Sequence, residues 1–163
     1  MIKKLIYCLS FVAVLSGCGS LPSSPPSGLE GRGNAPLSSR SQDVVLYAFG
    51  LLDTGYRFGG KNPEAGLDCS GMVSYIYGQA AGLKVSGSAA DIARGGRPVA
   101  RQDMKPGDLL FFNTRNRPYS HVGIYIGDDR FVHAPATNGR IRIDNLGARY
   151  YAERFEAARS YFD

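Results

Sequence analysis

The chain has 163 residues, 44% of them hydrophobic, and a formal net charge of +5 at pH 7. That length and apolar content suffice for one folded domain with appendages. The charge excess is weak and no basic stretch is interleaved with aromatics, which excludes a nucleic-acid footprint and suits an anionic polymer surface instead.

Lys3 and Lys4 form a basic start, and Leu5 to Leu15 is an apolar run too short to span a bilayer comfortably. Residues 1–17 therefore read as an export signal. Leu15, Ser16, Gly17 and Cys18 resemble a bacterial lipobox, in which the precursor is cut before the cysteine and its sulfur and new amino group are acylated. The resemblance implies a lipoprotein starting at Cys18, held at a membrane by several acyl chains whose grip far exceeds that of one. An ordinary cleaved signal with an incidental cysteine is the alternative. Gly19 stands where enteric lipoproteins kept in the inner membrane carry Asp, so the expected location is the outer membrane, facing the periplasm.

After Cys18 the chain to residue 38 is rich in Ser, Pro and Gly, a composition that cannot bury a core. It reads as a flexible tether with a typical end-to-end distance of about 25 Å. Loss of residues 1–17 removes two lysines, taking the charge from +5 to +3. Of the three cysteines, Cys8 leaves with the signal and Cys18 is blocked by lipid, so Cys69 is the one free thiol. An exported domain with a single thiol is no disulfide scaffold.

Residues 39–163 make one domain of about 125 residues. Ser39 to Gln42 has a capping-box pattern, and Val44, Val45, Ala48, Leu51 and Leu52 lie on one helical face, with Gly55 as the stop. Tyr56, Gly59 and Gly60 then lead through a polar loop, Lys61 to Ala65, into a second helix. Asp68 has the side chain of its N-cap, and Cys69, Met72, Val73, Ile76 and Ala80 recur at helical spacing. Cys69 thus sits in a first helical turn, where free N–H groups and the helix dipole favour thiolate over thiol. A thiolate is the nucleophile of amide-cleaving cysteine enzymes, although an average cysteine is simply a small buried apolar residue.

A short helix is expected around Ala89 to Arg94. Pro106, Gly107 and Asp108 turn into Leu109 to Phe112, an apolar run that reads as a strand buried on both faces. His121 to Ile126 alternates like a half-buried strand, Gly127 to Asp129 makes a turn, and Arg130 to Ala134 returns. Arg140 to Asp144 follows the Asn138–Gly139 turn and completes an antiparallel meander. With an odd three-residue loop at 127–129, His121 and His133 project from one face, opposite or one diagonal apart; an even loop would separate them. These are the only histidines in the chain. Cysteine catalysis needs a base and a group that fixes the base's tautomer. The expected order is Cys69 as nucleophile, His121 as base and His133 as a neutral orienter that leaves the thiolate and imidazolium as the only charges in the cleft.

Several motifs now resemble one family. They are Tyr56 with Gly59 and Gly60, Asp68 to Gly71, Pro106 to Asp108, His121 to Gly127 and Phe131 to Ala134. In order and spacing they are similar to the NlpC/P60 cysteine peptidases of bacterial cell walls, in layout to the short lipoproteins of the MepS/Spr type. The resemblance implies an α+β, papain-like fold with N-terminal helices on an antiparallel sheet. It also implies a peptidoglycan endopeptidase of the DL or DD type acting on stem peptides, with Cys69, His121 and His133 as triad. Tyr56 would then supply an oxyanion or substrate donor beside the Cys69 N–H, and Asp68 and Ser70 would touch the stem peptide. An arginine that many relatives carry before the short helix is missing from Val85 to Ser88, which leaves the bond open. No cofactor is called for, and a monomer is expected. Two other readings stand beside this one: a noncatalytic wall-binding lipoprotein with the same fold, and a metal site on Cys69, His121 and His133 that lacks the close ligand pairs of zinc motifs.

Overall fold

The computed structural model describes residues 39–136 and 139–162. The expected export signal, Cys18, the tether to residue 38 and Asn138 lie outside the described residues.

Helix α1 (Ser39–Gly50) buries Ser41, Val44 and Ala48. Its ends differ from the sequence expectation. Ser39 is already helical rather than the cap before the helix, and Leu51 and Leu52 continue into a turn. The left-handed residue that closes the turn is Asp53 (φ 66), not Gly55. Its N–H donates to the Ile141 carbonyl at 2.9 Å, a distant bond that helps hold a conformation side chains normally avoid.

The segment expected as a polar loop is a small antiparallel hairpin, β1 (Lys61–Asn62) with β2 (Gly66–Leu67). It presses on the start of helix α2 (Cys69–Ala81), and the two chains meet at glycines. A Cβ on Gly71 would lie 1.9 Å from the Gly60 carbonyl oxygen, and one on Gly60 would lie 2.1 Å from that of Gly66. Only hydrogen fits at either place. Further along, α2 buries Met72, Val73 and Ile76, as the periodicity predicted, and also Tyr77, while Cys69 and Ala80 of the predicted face are partly buried; it ends at Gly82 in the left-handed conformation (φ 66). The Tyr77 hydroxyl donates to the Gly107 carbonyl, tying the helix to the turn before the central strand.

Helix α3 (Ala89–Gly95) falls where expected and is started by a capping box between Ser88 and Asp91. The sheet follows: β3 (Arg97–Val99), β4 (Leu109–Phe112), β5 (His121–Gly127), β6 (Arg130–His133), β7 (Arg142–Asn145), then helix α4 (Arg149–Ala152) and β8 (Phe155–Ser160). The strand order is β3-β8-β4-β5-β6-β7. The predicted meander is its β4 to β7 half; β7 starts at Arg142, and Arg140 makes only an isolated bridge to Gly55.

One apolar layer, with Val73, Ile76, Leu109, Phe111, Val122 and Ile124, lies between helices and sheet. A second, with Leu110, Phe112, Phe131, Leu146 and Tyr151, covers the other face. This second layer corrects the reading of β5 as half-buried: His121 to Ile124 are buried on both faces. Strand β4 is buried throughout, as predicted.

Gly71→Ala is expected to lower unfolding free energy by about 2 kcal/mol or more, because the clashing atom is backbone and cannot rotate away. Urea denaturation of the variant checks this; an unchanged midpoint would show that the hairpin yields freely.

Candidate active site

Cys69 is the first residue of α2, positioned by the Asp68 cap. Asp68 Oδ1 accepts from the Gly71 N–H at 2.6 Å and the Ser70 hydroxyl at 3.0 Å, and Oδ2 accepts from the Gly59 N–H at 2.9 Å. The half-buried sulfur faces the backbone N–H groups of Val122 and Ser70. Val122 directly follows His121, so the helix start meets the beginning of β5. The expected preference for thiolate is not met in the free protein. Burial pushes the thiol pKa up, the Asp68 carboxylate adds to that, and the two N–H groups and the Arg115 charge only partly offset it.

The two histidines reach each other in a way the sequence half revealed. The turn between β5 and β6 has two residues, Asp128 and Asp129, both at φ 52, which by loop parity alone would put the histidines on opposite faces. One extra residue in β5, between the Tyr125↔Phe131 and Gly127↔Arg130 pairs, restores the parity. His121 then lies one diagonal from His133. Gly123 stands between them with no side chain to intervene; a Cβ there would lie 3.2 Å from the His133 Cβ. His121 Nε2 lies 2.8 Å from His133 Nδ1, with the rings nearly perpendicular at 87°.

A carboxylate completes the row, and sequence reasoning assigned it no role. His133 Nε2 is 2.9 Å from Asp144 Oδ2, which also accepts from the Tyr151 hydroxyl at 2.9 Å and from Arg142 Nη2 at 2.9 Å. An ionised carboxylate only accepts, so His133 Nε2 carries the proton and His133 Nδ1 is a bare acceptor. His121 must then donate from Nε2, which leaves its Nδ1 lone pair unprotonated. Asp144 therefore fixes two tautomers in series. Its own pKa is held well below the carboxylate range by the His133 hydrogen bond first, then by Arg142 and Tyr151. The expectation of a cleft without negative charge behind the orienter is thus corrected. The β6–β7 register pairs Phe131 with Asp144 and His133 with Arg142, so parity would have revealed the shared face had the length of the intervening loop been readable.

Burial pushes the His121 pKa down to about 3, with the Arg115 charge adding to the effect. His133 is also lowered by burial, against the opposing pull of Asp144. The resting pair is a thiol and a neutral imidazole rather than a thiolate and imidazolium. Cys69, His121 and His133 line one cavity of about 160 Å³ at the sheet end, together with Tyr56, Arg115 and Tyr151. Tyr56 is held by its N–H to the Gly139 carbonyl at 2.9 Å, and its hydroxyl has no hydrogen-bond partner among the described residues. Asp68 and Ser70 line an adjoining cleft that Cys69 and Tyr56 share. Among the described residues no cluster of three His, Cys, Asp or Glu side chains is spaced to hold a metal ion.

Residues 53–160 match the model of the NlpC/P60 family. The chain belongs to that family. It is 36% identical over 107 residues to the murein DD-endopeptidase MepH of Escherichia coli (strain K12), covering 64% of this chain and 40% of that protein. It is 36% identical over 126 residues to the murein DD-endopeptidase MepS/murein LD-carboxypeptidase of the same organism, covering 77% and 64%. A third relative is the gamma-DL-glutamyl hydrolase of Bacillus subtilis (strain 168), 37% identical over 119 residues that cover 72% of this chain and 29% of it. The chain thus spans less than half of MepH and of the hydrolase. Among solved structures, an NlpC/P60 family protein from Bacillus cereus ATCC 10987 superposes with a TM-score of 0.71 at 28% identity, covering 76% of this chain and 40% of that one. The NlpC/p60 domain of the peptidoglycan hydrolase SagA does so at 0.64 and 29%, covering 74% and 97%. The α+β, papain-like NlpC/P60 architecture predicted from sequence is the one this chain adopts.

Two outcomes follow from the protonation states. Iodoacetamide should label Cys69 in the substrate-free protein more slowly than free cysteine at pH 7, accelerating as pH passes the ordinary thiol value of about 8.5; labelling faster than free cysteine would mean an ion pair at rest. The depressed histidine makes the fold acid-sensitive. Once unfolded, His121 regains a pKa near 6.5 and binds the proton that the folded state refuses. Stability should therefore fall as pH drops from about 6.5 toward 3, by up to about 1.4 kcal/mol per pH unit. Urea midpoints at pH 7, 5 and 4 measure it, and a His121→Gln variant should show a shallower decline.

Proposed function

We propose that this protein is an exported cysteine endopeptidase of peptidoglycan, hydrolysing amide bonds of stem peptides or their cross-links with Cys69, His121 and His133. The observation that carries this reading is the row Asp144, His133, His121, which leaves the second His121 ring nitrogen unprotonated on a ring that lines one cavity with Cys69. Relatives named as murein DD-endopeptidases and a gamma-DL-glutamyl hydrolase support the substrate class.

In the reaction, His121 Nδ1 takes the thiol proton as Sγ attacks the scissile carbonyl carbon. The carbon–sulfur bond forms and the carbonyl electron pair moves to oxygen. That oxyanion is met by the Cys69 backbone N–H, which has no partner within the helix, and by the Tyr56 hydroxyl. Collapse breaks the carbon–nitrogen bond, and the amine leaves with the proton from His121. Water then attacks the thioester, giving its proton to Nδ1, and the released thiolate recovers that proton. His133 stays neutral throughout and positions the base. Asp144 stabilises the transient imidazolium through it. Asp68 and Ser70, at the rim of the adjoining cleft, contact the stem peptide. Lipid on Cys18 and the tether to residue 38 would hold a monomeric domain near the membrane, at the outer membrane facing the periplasm.

Mass spectrometry of muropeptides released from purified sacculi tests the reading and identifies the bond. Cys69→Ala and His121→Ala are each expected to abolish release while keeping the fold, and wild-type release from either would reject the mechanism. Asp144→Asn should lower kcat by about 10²-fold or more, because the amide NH₂ can donate to His133 Nε2 and reverse both tautomers. His133→Ala removes the orienter alone and should leave measurable turnover.

A further inference from the structure

A cleft of about 640 Å³ runs from Cys69 and Tyr56 past Ser70 and Ser74 to the start of α3, a volume that suits a short peptide. Four charged side chains line it: Asp68, Lys61, Arg115 and Arg117. Their states differ. Both Asp68 oxygens are engaged by the inner donors of the helix cap and the hairpin. Neither Lys61, Arg115 nor Arg117 has an ion pair or a side-chain hydrogen bond among the described residues. The available charge in the cleft is therefore positive.

The two arginines are carried on a braced segment. The Thr114 and Arg115 N–H groups donate to Ser120 Oγ at 2.9 and 3.2 Å, the Arg117 N–H to Asn113 Oδ1 at 2.8 Å, and the Tyr119 N–H to Glu156 Oε2 at 2.5 Å. Arg115 is the cation that lines both this cleft and the cavity holding Cys69 and His121. Its guanidinium lies 5.9 Å from the ring centre of Phe58, an aromatic that is 75% exposed. Contact over the ring occupies a guanidinium face and leaves the N–H edge free for a planar acceptor.

We infer that Arg115 reads a free carboxylate on the peptide next to the scissile amide, so that the cleft selects substrates bearing that carboxylate over the same peptides with a carboxamide. This deepens the endopeptidase reading and rests on it for the orientation of the peptide. A guanidinium gives a carboxylate two charge-assisted bonds; a carboxamide offers one neutral acceptor and a mismatched donor. Lys61 and Arg117 add attraction for an acidic peptide without the same geometry.

The test uses two synthetic stem peptides, identical except that the carboxylate beside the scissile bond is free in one and amidated in the other. Binding to the Cys69→Ala protein, followed calorimetrically, decides the inference whether or not the peptides are cut. The acid should bind about 10-fold more tightly or better, and Arg115→Gln on that background should bring the ratio close to one. Arg115→Lys should recover part of it. Equal binding of acid and amide, or an Arg115→Gln change that weakens both alike, would overturn the assignment. Cleavage of the same peptides by the wild type bears on the endopeptidase reading: acid-selective binding without cleavage would count against catalysis and leave the carboxylate site standing.

Discussion

The site depends on one hydrogen bond, from His133 Nε2 to the Asp144 carboxylate at 2.9 Å. Because the acceptor has no proton to offer, the direction of every later bond in the row is set. His133 accepts from His121, and the second His121 ring nitrogen is left unprotonated on a ring that lines the same cavity as Cys69. Without the carboxylate, two linked imidazoles could carry their protons in either direction with little between them in energy, and half the arrangements would put the proton on the second His121 nitrogen. The Asp144 charge reaches His121 only through His133, so it sets the tautomer of that ring without touching it.

Keeping that row intact requires a dry and crowded setting. His133 is fully buried, and Phe131 and Tyr151 pack on it with ring centres 4.8 and 5.4 Å away. The second apolar layer, built from α4, β8 and the outer face of the meander, excludes water from these rings. Burial also explains why both histidines stay neutral and why the thiol stays protonated at rest. No buried side-chain nitrogen or oxygen among the described residues lacks a partner, so the row is closed at every point except the one nitrogen left for chemistry. The same dry setting makes charge separation between the thiol and the imidazole costly in the substrate-free protein.

Much of this was legible in the chain. The cap at Asp68, the face of α2, the buried β4 run and the histidine hairpin follow from spacings of one to four residues, where local geometry leaves few choices. The hairpin was right for an incomplete reason: a two-residue turn and a bulge together give the parity that an odd loop would give. Strand β8 escaped notice because Phe155 to Ser160 includes Glu156, Ala157, Ala158 and Arg159, residues with strong helix preference, and becomes a strand only through the edges of β3 and β4. Asp144 escaped for a related reason. Its partner lies on the preceding strand, across a connection whose length no propensity rule fixes.

The sequence by itself determined where Cys69 sits, since a cap and a helical face are local facts. It also determined that two histidines belong to one hairpin. Only the tertiary structure decided the protonation of the site, because that depends on which carboxylate reaches the second ring and on how much water the packed layers remove. Spacing along a chain records neither distance across a sheet nor burial, and those two quantities set the tautomers, the neutral resting pair and the positive cleft beside it.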